Sequence, residues 1–326
     1  MRDHRPLESP AGSDATALPG LPAKGGAAGA RPGTEDAVPM DSAQRGAGPF
    51  IWRFLTWHRM AHGVLVLSFY TLVLTGLPLR FACAPYSAPL ISLFGGVRSA
   101  GLIHRVSAAV MVTLAGVYVG YLVVKFIRTK GSRLEWLWGE KSFVPQPHDI
   151  VDFLKQWRYF FTGRGRPEFG RYSYLEKLDF FGAVWGFVII IASGMMLSFP
   201  QFFGSFLPGW LFNVATVFHG EEALLATCFL FVVHFFNVHV RPDKWPMDGV
   251  MFHGRATVDY LEEEHPKLMP LIEPNLDKPM SRTPKLDHKA PPPGRMESQV
   301  AAVFGFGLLG MGFAILGMIV WAFTFC

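Results

Sequence analysis

The residues best suited to chemistry in this chain are its histidines. Of eleven, five (His62, His104, His219, His234 and His239) fall within or at the ends of long apolar stretches. An ionisable side chain inside a membrane is costly and ordinarily faces the bundle interior or a functional group. An imidazole bound to iron satisfies its polarity through that bond, and the flat apolar body of a haem fits between helices. His219 and His234 lie 234 − 219 = 15 residues apart, which on one helix is ~22 Å along the axis and ~60° around it. One helix can therefore serve two stacked sites, one near each membrane face, and each site then needs a second imidazole from another helix.

Five apolar runs, 61–79, 101–127, 178–199, 218–240 and 300–325, are long enough to cross a hydrocarbon layer of ~30 Å at ~1.5 Å per residue. His62 opens the first run, at the depth of His234 near the end of the fourth. His104 opens the second, at the depth of His219 near the start of the fourth. The depths thus pair His62 with His234 and His104 with His219. Any one of these side chains alone could simply hydrogen-bond a neighbouring helix, but four in matched pairs weigh against that. His58 shares a helix face with His62, four residues away, and competes with it. It sits nearer the interface, which favours His62. His239 lies ~140° around the helix from His234 at ~100° per residue and near the water boundary, so it reads as an interfacial or quinone-side residue. Glycines within the spans, Gly63, Gly76, Gly186 and Gly194 among them, would let a helix or a porphyrin approach the backbone. Arg59, Arg105 and Arg241 stand at span ends, placed to meet haem propionates or to anchor at the interface.

These spans dominate the composition: half of the chain is hydrophobic, 17% is charged, and the mean hydropathy is +0.27, more apolar than an ordinary soluble domain. The expected fold is an all-α membrane protein, a four-helix transmembrane bundle over 51–240 with a loop at 128–177, plus a fifth transmembrane helix at 300–326. The net charge of +5 is attributed to loops, not to nucleic-acid binding. The segment between spans two and three is rich in Lys and Arg, whereas 200–217 has neither. Positive loops stay on the cytoplasmic side, so the N-terminus is expected inside and the C-terminus outside. No apolar segment of signal-peptide type precedes the first span. Residues 1–50, rich in Gly, Ala and Pro, read as a disordered cytoplasmic tail. Residues 241–299 read as a polar, Pro-rich cytoplasmic linker. Within the loop, Asp149 follows Pro147 as a helix start, and Ile150, Phe153, Leu154, Trp157, Phe160 and Phe161 recur at helical spacing. That pattern fits a helix lying on the membrane interface or packed on a partner subunit. Only Cys83, Cys228 and Cys326 occur, none in CxxC or CxxCH, so covalent c-type haem, iron–sulfur clusters and a disulfide framework are not expected.

Four separated runs, WHRMAHGVLVLSFYTLVLTGLPL, LIHRVSAAV, GRYSYLEKLDFFGAVWGFVIIIASGMML and HGEEALLATCFLFVVHFFNVHVRPDKWPMD, together resemble the dihaem cytochrome b family. That cytochrome b561-like family includes the gamma subunits of membrane formate dehydrogenases and the B-type cytochromes of nickel–iron hydrogenases. The likeness is nearest to the branch found with multihaem cytochromes c, and it covers residues 52–266. It implies axial iron ligands early in span one, early in span two and twice in span four, which fall on His62, His104, His219 and His234. The spacing of 15 within span four is one more than the usual formate dehydrogenase pattern, and the fifth span lies outside the family's four-helix core.

The expectation is a subunit in a bacterial inner membrane that holds two haems b. It would pass electrons between menaquinone or ubiquinone and a periplasmic cytochrome c or iron–sulfur subunit, with no primary-substrate site of its own. Glu221, Glu222, His239 and Asp179 are candidates for proton exchange at a quinone. The rivals are a haem-free membrane anchor of a redox complex and a histidine-dependent metal or proton transporter. The transporter would want acidic residues within the spans and broken helices, and the span interiors hold almost none. A flavin-bearing ferric reductase would need a soluble domain and a GxGxxG fingerprint, and the sequence has neither.

Overall fold

The computed structural model describes residues 48–129, 132–139, 142–241, 244–245 and 247–326. Five helices in it are long and apolar enough to cross a membrane. In chain order the elements begin with β1 (Phe50–Trp52), α1 (Thr56–Arg80), α2 (Ser87–Leu93) and α3 (Val97–Arg128). There follow α4 (Arg133–Trp138), α5 (Pro147–Thr162), α6 (Tyr174–Ser198), α7 (Pro200–Gly204) and α8 (Trp210–Phe229). Beyond α8 the same rod continues through π-helical turns Leu230–His234 and Phe236–Val240. The rest comprises α9 (Val250–His253), β2 (Arg255–Thr257), α10 (Val258–Glu264), α11 (Met269–Leu276), β3 (Lys289–Ala290) and α12 (Arg295–Phe325). The spans α1, α3, α6, α8 with its π turns, and α12 contain the five apolar runs, save Phe199 just beyond α6, and each extends its run by several residues at one or both ends. Most of the expected tail, 1–47, lies outside the described residues.

The bundle is two helical hairpins, because α1 packs chiefly on α3 and α6 chiefly on α8, while α1 and α8 form the main contact between the pairs. Helix α12 lies along that seam. Its buried residues Ala301, Gly305, Leu309, Gly312, Ile315, Ile319 and Ala322 recur at three-to-four spacing, the stripe of a helix that buries one face. A Cβ at Gly312 would come within 2.6 Å of Phe235 and 2.9 Å of Phe231, so only glycine lets these rings close against the backbone. Tyr70 on α1 donates to the Leu308 carbonyl of α12 at 2.5 Å, which satisfies a hydroxyl that would otherwise be costly in hydrocarbon.

One end of the bundle is closed by a disulfide between Cys83, after α1, and Cys326, after α12, with Cα atoms 5.9 Å apart. This corrects the expectation of no disulfide. The bond joins residues separated by 243 positions, and pairing across such a distance depends on which helix ends meet in space. We call this the disulfide end.

The opposite, sheet end corrects the reading of 241–299 as a linker. Strand β1 sits between antiparallel β2 and β3, with Ile51 opposite Ala256 and Lys289. Ile51, Val250, Ala256, Leu261, Leu268, Met269 and Ile272 form a small core beneath it. Prolines and charges suggested a linker, yet apolar residues scattered over 250–272 are enough for this core once β1 supplies Ile51. Charged pairs tie this unit to the loop before α6: Arg171 with Asp287 at 2.8 Å, and Arg166 with Glu263 and Glu264 at 3.1 and 3.0 Å. Tyr260 is enclosed here with Lys244 and Asp248, and burial together with the Asp248 and Glu264 carboxylates holds its phenol well above the ordinary value.

Helix α5 starts as its sequence suggests. Pro147 takes the first position, and Asp149 accepts from the Gln146 N–H at 2.7 Å. It ends at Gly163, whose φ of 66° is a left-handed cap. Ile150, Leu154, Trp157, Phe160 and Phe161 are exposed. On the other face Asp149 receives the Lys177 ammonium at 2.8 and 3.0 Å, and Lys177 is 2% exposed. Removing one partner of such a pair strands the other. Lys177→Met should therefore destabilise the protein by about 3 kcal/mol, read as a drop in the melting transition in detergent, and adding Asp149→Asn should restore most of it.

Candidate functional site

The two helices of the first hairpin, α1 and α3, meet at a Thr-Gly step. Thr75 of α1 donates its hydroxyl hydrogen to the Thr71 carbonyl at 2.6 Å. Its oxygen lies 2.9 Å from Nδ1 of His104 on α3. A hydroxyl has one hydrogen to give, so with that hydrogen committed to the backbone it accepts here, and Nδ1 carries the imidazole proton. The ring then rests over Gly76, where a Cβ would be 3.3 Å from its Cε1.

The second hairpin repeats this arrangement. Ser193 of α6 donates to the Ile189 carbonyl at 2.7 Å and lies 3.2 Å from Nδ1 of His219 on α8. The ring packs over Gly194, where a Cβ would be 3.0 Å from Cε1. Each hydroxyl–glycine step thus fixes both the tautomer and the position of a histidine on the neighbouring helix. The two imidazoles meet edge to face, with ring centres 6.3 Å apart and planes at 70°.

At the sheet end His234 closes the first π turn of the α8 rod, and its Nδ1 is 3.1 Å from Oδ2 of Asp179 on α6. A carboxylate only accepts, so this Nδ1 also bears the proton. His62 of α1 is within electrostatic reach of His234, as the matched depths require. All four histidines are half-buried. His104 and His219 also bond to the backbone at Leu72 and Ile190 respectively, whereas Asp179 at Nδ1 is the one hydrogen-bond partner of His234 among the described residues.

Two π-helical turns, Leu230–His234 and Phe236–Val240, form the sheet end of this rod. Hydrogen bonding from i to i+5 takes one residue more per turn than an α-helix, and such turns recur at functional sites.

Competing residues are otherwise engaged. Nδ1 of His58 accepts the Leu55 N–H at 3.3 Å, and its ring stacks on Trp57 at 3.7 Å. It serves the start of α1. His239 meets Phe235 edge-on at 5.8 Å. Arg59 is held by the Phe252 carbonyl at 2.7 Å and Arg241 by Glu264 at 2.7 Å, whereas Arg105 lies exposed beside His104. Glu221 pairs with Arg80 at the disulfide end, and Glu222 lies over Gly186, where a Cβ would be 3.0 Å from Oε1. Sequence reasoning missed Thr75, Ser193 and the anchoring part played by Asp179. Their signal was a hydroxyl directly before each of two span glycines.

Fold and composition define a multi-pass helical membrane protein. No protein-family profile matches the chain, and no curated protein does.

Proposed function

We propose that this chain is a dihaem cytochrome b that carries electrons between a membrane quinone and partner redox proteins of a bacterial respiratory chain. The observation that carries the reading is the paired histidines, three of which (His104, His219 and His234) have Nδ1 protonated and anchored, because a metal-bound imidazole ordinarily donates its other ring N–H to a neighbour that fixes its orientation. Two metal–nitrogen bonds of about 2 Å each, extended to the ring centres, span about 6 Å, in keeping with the 6.3 Å between His104 and His219.

The donor set also favours a haem over a bare ion. Among the described residues no group of three or more His, Cys, Asp or Glu side chains is arranged to hold one. A pair of imidazoles alone suits a metal that brings its own equatorial ligands, as porphyrin iron does. His62 and His234 would hold one haem and His104 and His219 the other. Bound haem supplies one-electron exchange. The chain's part is to orient the imidazoles through Thr75, Ser193 and Asp179, to keep the iron from water, and to offer carboxylates such as Glu222 and Glu221 where a quinone exchanges protons.

The cytoplasmic N-terminus and outer C-terminus rest on two independent supports. Lys and Arg crowd the loop at the sheet end, and the Cys83–Cys326 disulfide lies at the other end, where an oxidising compartment would preserve it. Partners, in this reading, are a periplasmic cytochrome c or iron–sulfur subunit.

The test is the reduced-minus-oxidised spectrum with pyridine haemochrome quantitation of the purified protein. Two haems b per chain are expected, with His58→Ala keeping both. A folded full-length preparation from a haem-sufficient host that holds none would replace this reading with that of a haem-free anchor.

A further inference from the structure

The anchors of the histidines differ between the two ends. His104 and His219 bond to neutral groups only, the hydroxyls of Thr75 at 2.9 Å and Ser193 at 3.2 Å and the backbone at Leu72 and Ile190. His234 bonds to a carboxylate, Asp179 at 3.1 Å. The acceptor strength of that carboxylate is undivided: among the described residues Oδ1 of Asp179 is buried with no hydrogen-bond partner, and no lysine or arginine pairs with Asp179. Among the described residues the histidine is its one hydrogen-bonding neighbour.

A charged acceptor forms a stronger hydrogen bond than a neutral one, and inside a protein the low dielectric strengthens it further. It draws the Nδ1 proton from the ring and leaves the imidazole more anionic, a more basic ligand at Nε2. A more basic axial ligand favours the ferric over the ferrous state, because the oxidised iron carries the additional positive charge. We propose that Asp179 is a positioning residue that lowers the reduction potential of the sheet-end haem, a control that the disulfide-end haem, held through hydroxyls, lacks. This rests on the cytochrome reading above.

Its consequence is directional. Asp179 biases an electron in the haem pair away from the sheet end and toward His104 and His219. Asp179 is also 19% exposed at its side chain, against 26% for His234, so the pair sits at the edge of the site and not sealed within it. A substitution there alters the acceptor while leaving the α6–α8 packing around Ser193 and Gly194 in place.

The experiment is a potentiometric titration of haem absorbance, with EPR of the ferric haems, on the full-length protein and on Asp179→Asn. Asparagine keeps the shape and replaces the charged acceptor by a neutral one. The expected result is that both haems are retained, one midpoint rises, the other stays in place, and one of the two low-spin ferric signals changes its g values. Two unmoved midpoints with both haems present would overturn the inference and leave the cytochrome reading intact, whereas absence of haem from the unsubstituted protein would remove the reading itself. Where Asp179→Asn sheds the sheet-end haem, Asp179→Glu and Asp179→Ser decide. Retention of that haem by both, with a higher midpoint in the serine chain than in the glutamate chain, supports the assignment. Equal midpoints in the two overturn it.

Discussion

A chain carrying both His62→Ala and His234→Ala is expected to keep one haem, and a chain carrying both His62→Ala and His104→Ala to keep none. In the proposed arrangement each iron has two protein ligands, so the first alanine at a site removes half of its protein bonds and releases the haem. A second alanine at the same site then has nothing left to remove. Residues that act as one unit are strongly non-additive, while separate units add. His62 and His234 lie within electrostatic reach of one another at the sheet end, and His104 meets His219 at 6.3 Å at the other. The pairing therefore predicts which double substitutions are redundant. Pyridine haemochrome per chain, with size-exclusion elution confirming a folded bundle, reads the result. A folded His62/His234 double variant without haem, or a folded His62/His104 variant that still holds one, would show that the pairs are drawn wrongly.

How much of this was visible before the structure follows from the range over which each feature is determined. Span periodicity and length are local, so all five membrane helices were legible, and so was the start of α5 at Pro147 and Asp149. Two starts were read late: α1 begins at Thr56, where His58 and Arg59 interrupt the apolar run, and α8 begins at Trp210, ahead of Asn213. The sheet-end unit was not legible, because its core depends on Ile51 of β1 meeting Leu261 and Ile272 some two hundred residues later. The Cys83–Cys326 bond escaped for the same reason.

The site divides along the same line. Depth along a helix is a local property, so the matched levels of His62 with His234 and of His104 with His219 could be read from residue counts. Which atom holds each ring is not local. Thr75 and Ser193 are 29 and 26 residues from the histidines they anchor. Asp179 is 55 residues from His234 and had been weighed only as a group for proton exchange. His58 and His62 also differ in their surroundings, since the Leu55 N–H takes the lone pair of His58 Nδ1 and His62 has no hydrogen bond among the described residues.

The glycines beneath the disulfide-end rings carry the second large effect. Gly194→Val and Gly76→Val should each lower haem content from two to one, whereas Gly116→Val should leave it at two. A Cβ at position 194 would already stand 3.0 Å from Cε1 of His219 and 3.4 Å from Nδ1, and one at position 76 would stand 3.3 Å from Cε1 of His104. Two further methyl groups leave the ring no room over the backbone, and relief by overpacking costs about 1–3 kcal/mol. The ring escapes by rotating away from Ser193 or Thr75, which breaks the bond that fixes its tautomer as well as its aim. At Gly116 on α3 nothing lies within 4 Å of the added carbon, so the same substitution there reports only the modest helix preference of a β-branched residue. Equal loss at all three positions would mean that valine damages the bundle generally. Unchanged spectra at positions 76 and 194 would mean that the rings do not rest on these glycines. Loss confined to 76 and 194, with the remaining haem spectrally the one that His62 and His234 hold, would tie the hydroxyl–glycine step on each hairpin to one shared site. The two hairpins would then have arrived at the same local solution: a small residue to admit the ring, and a hydroxyl just before it to hold the proton.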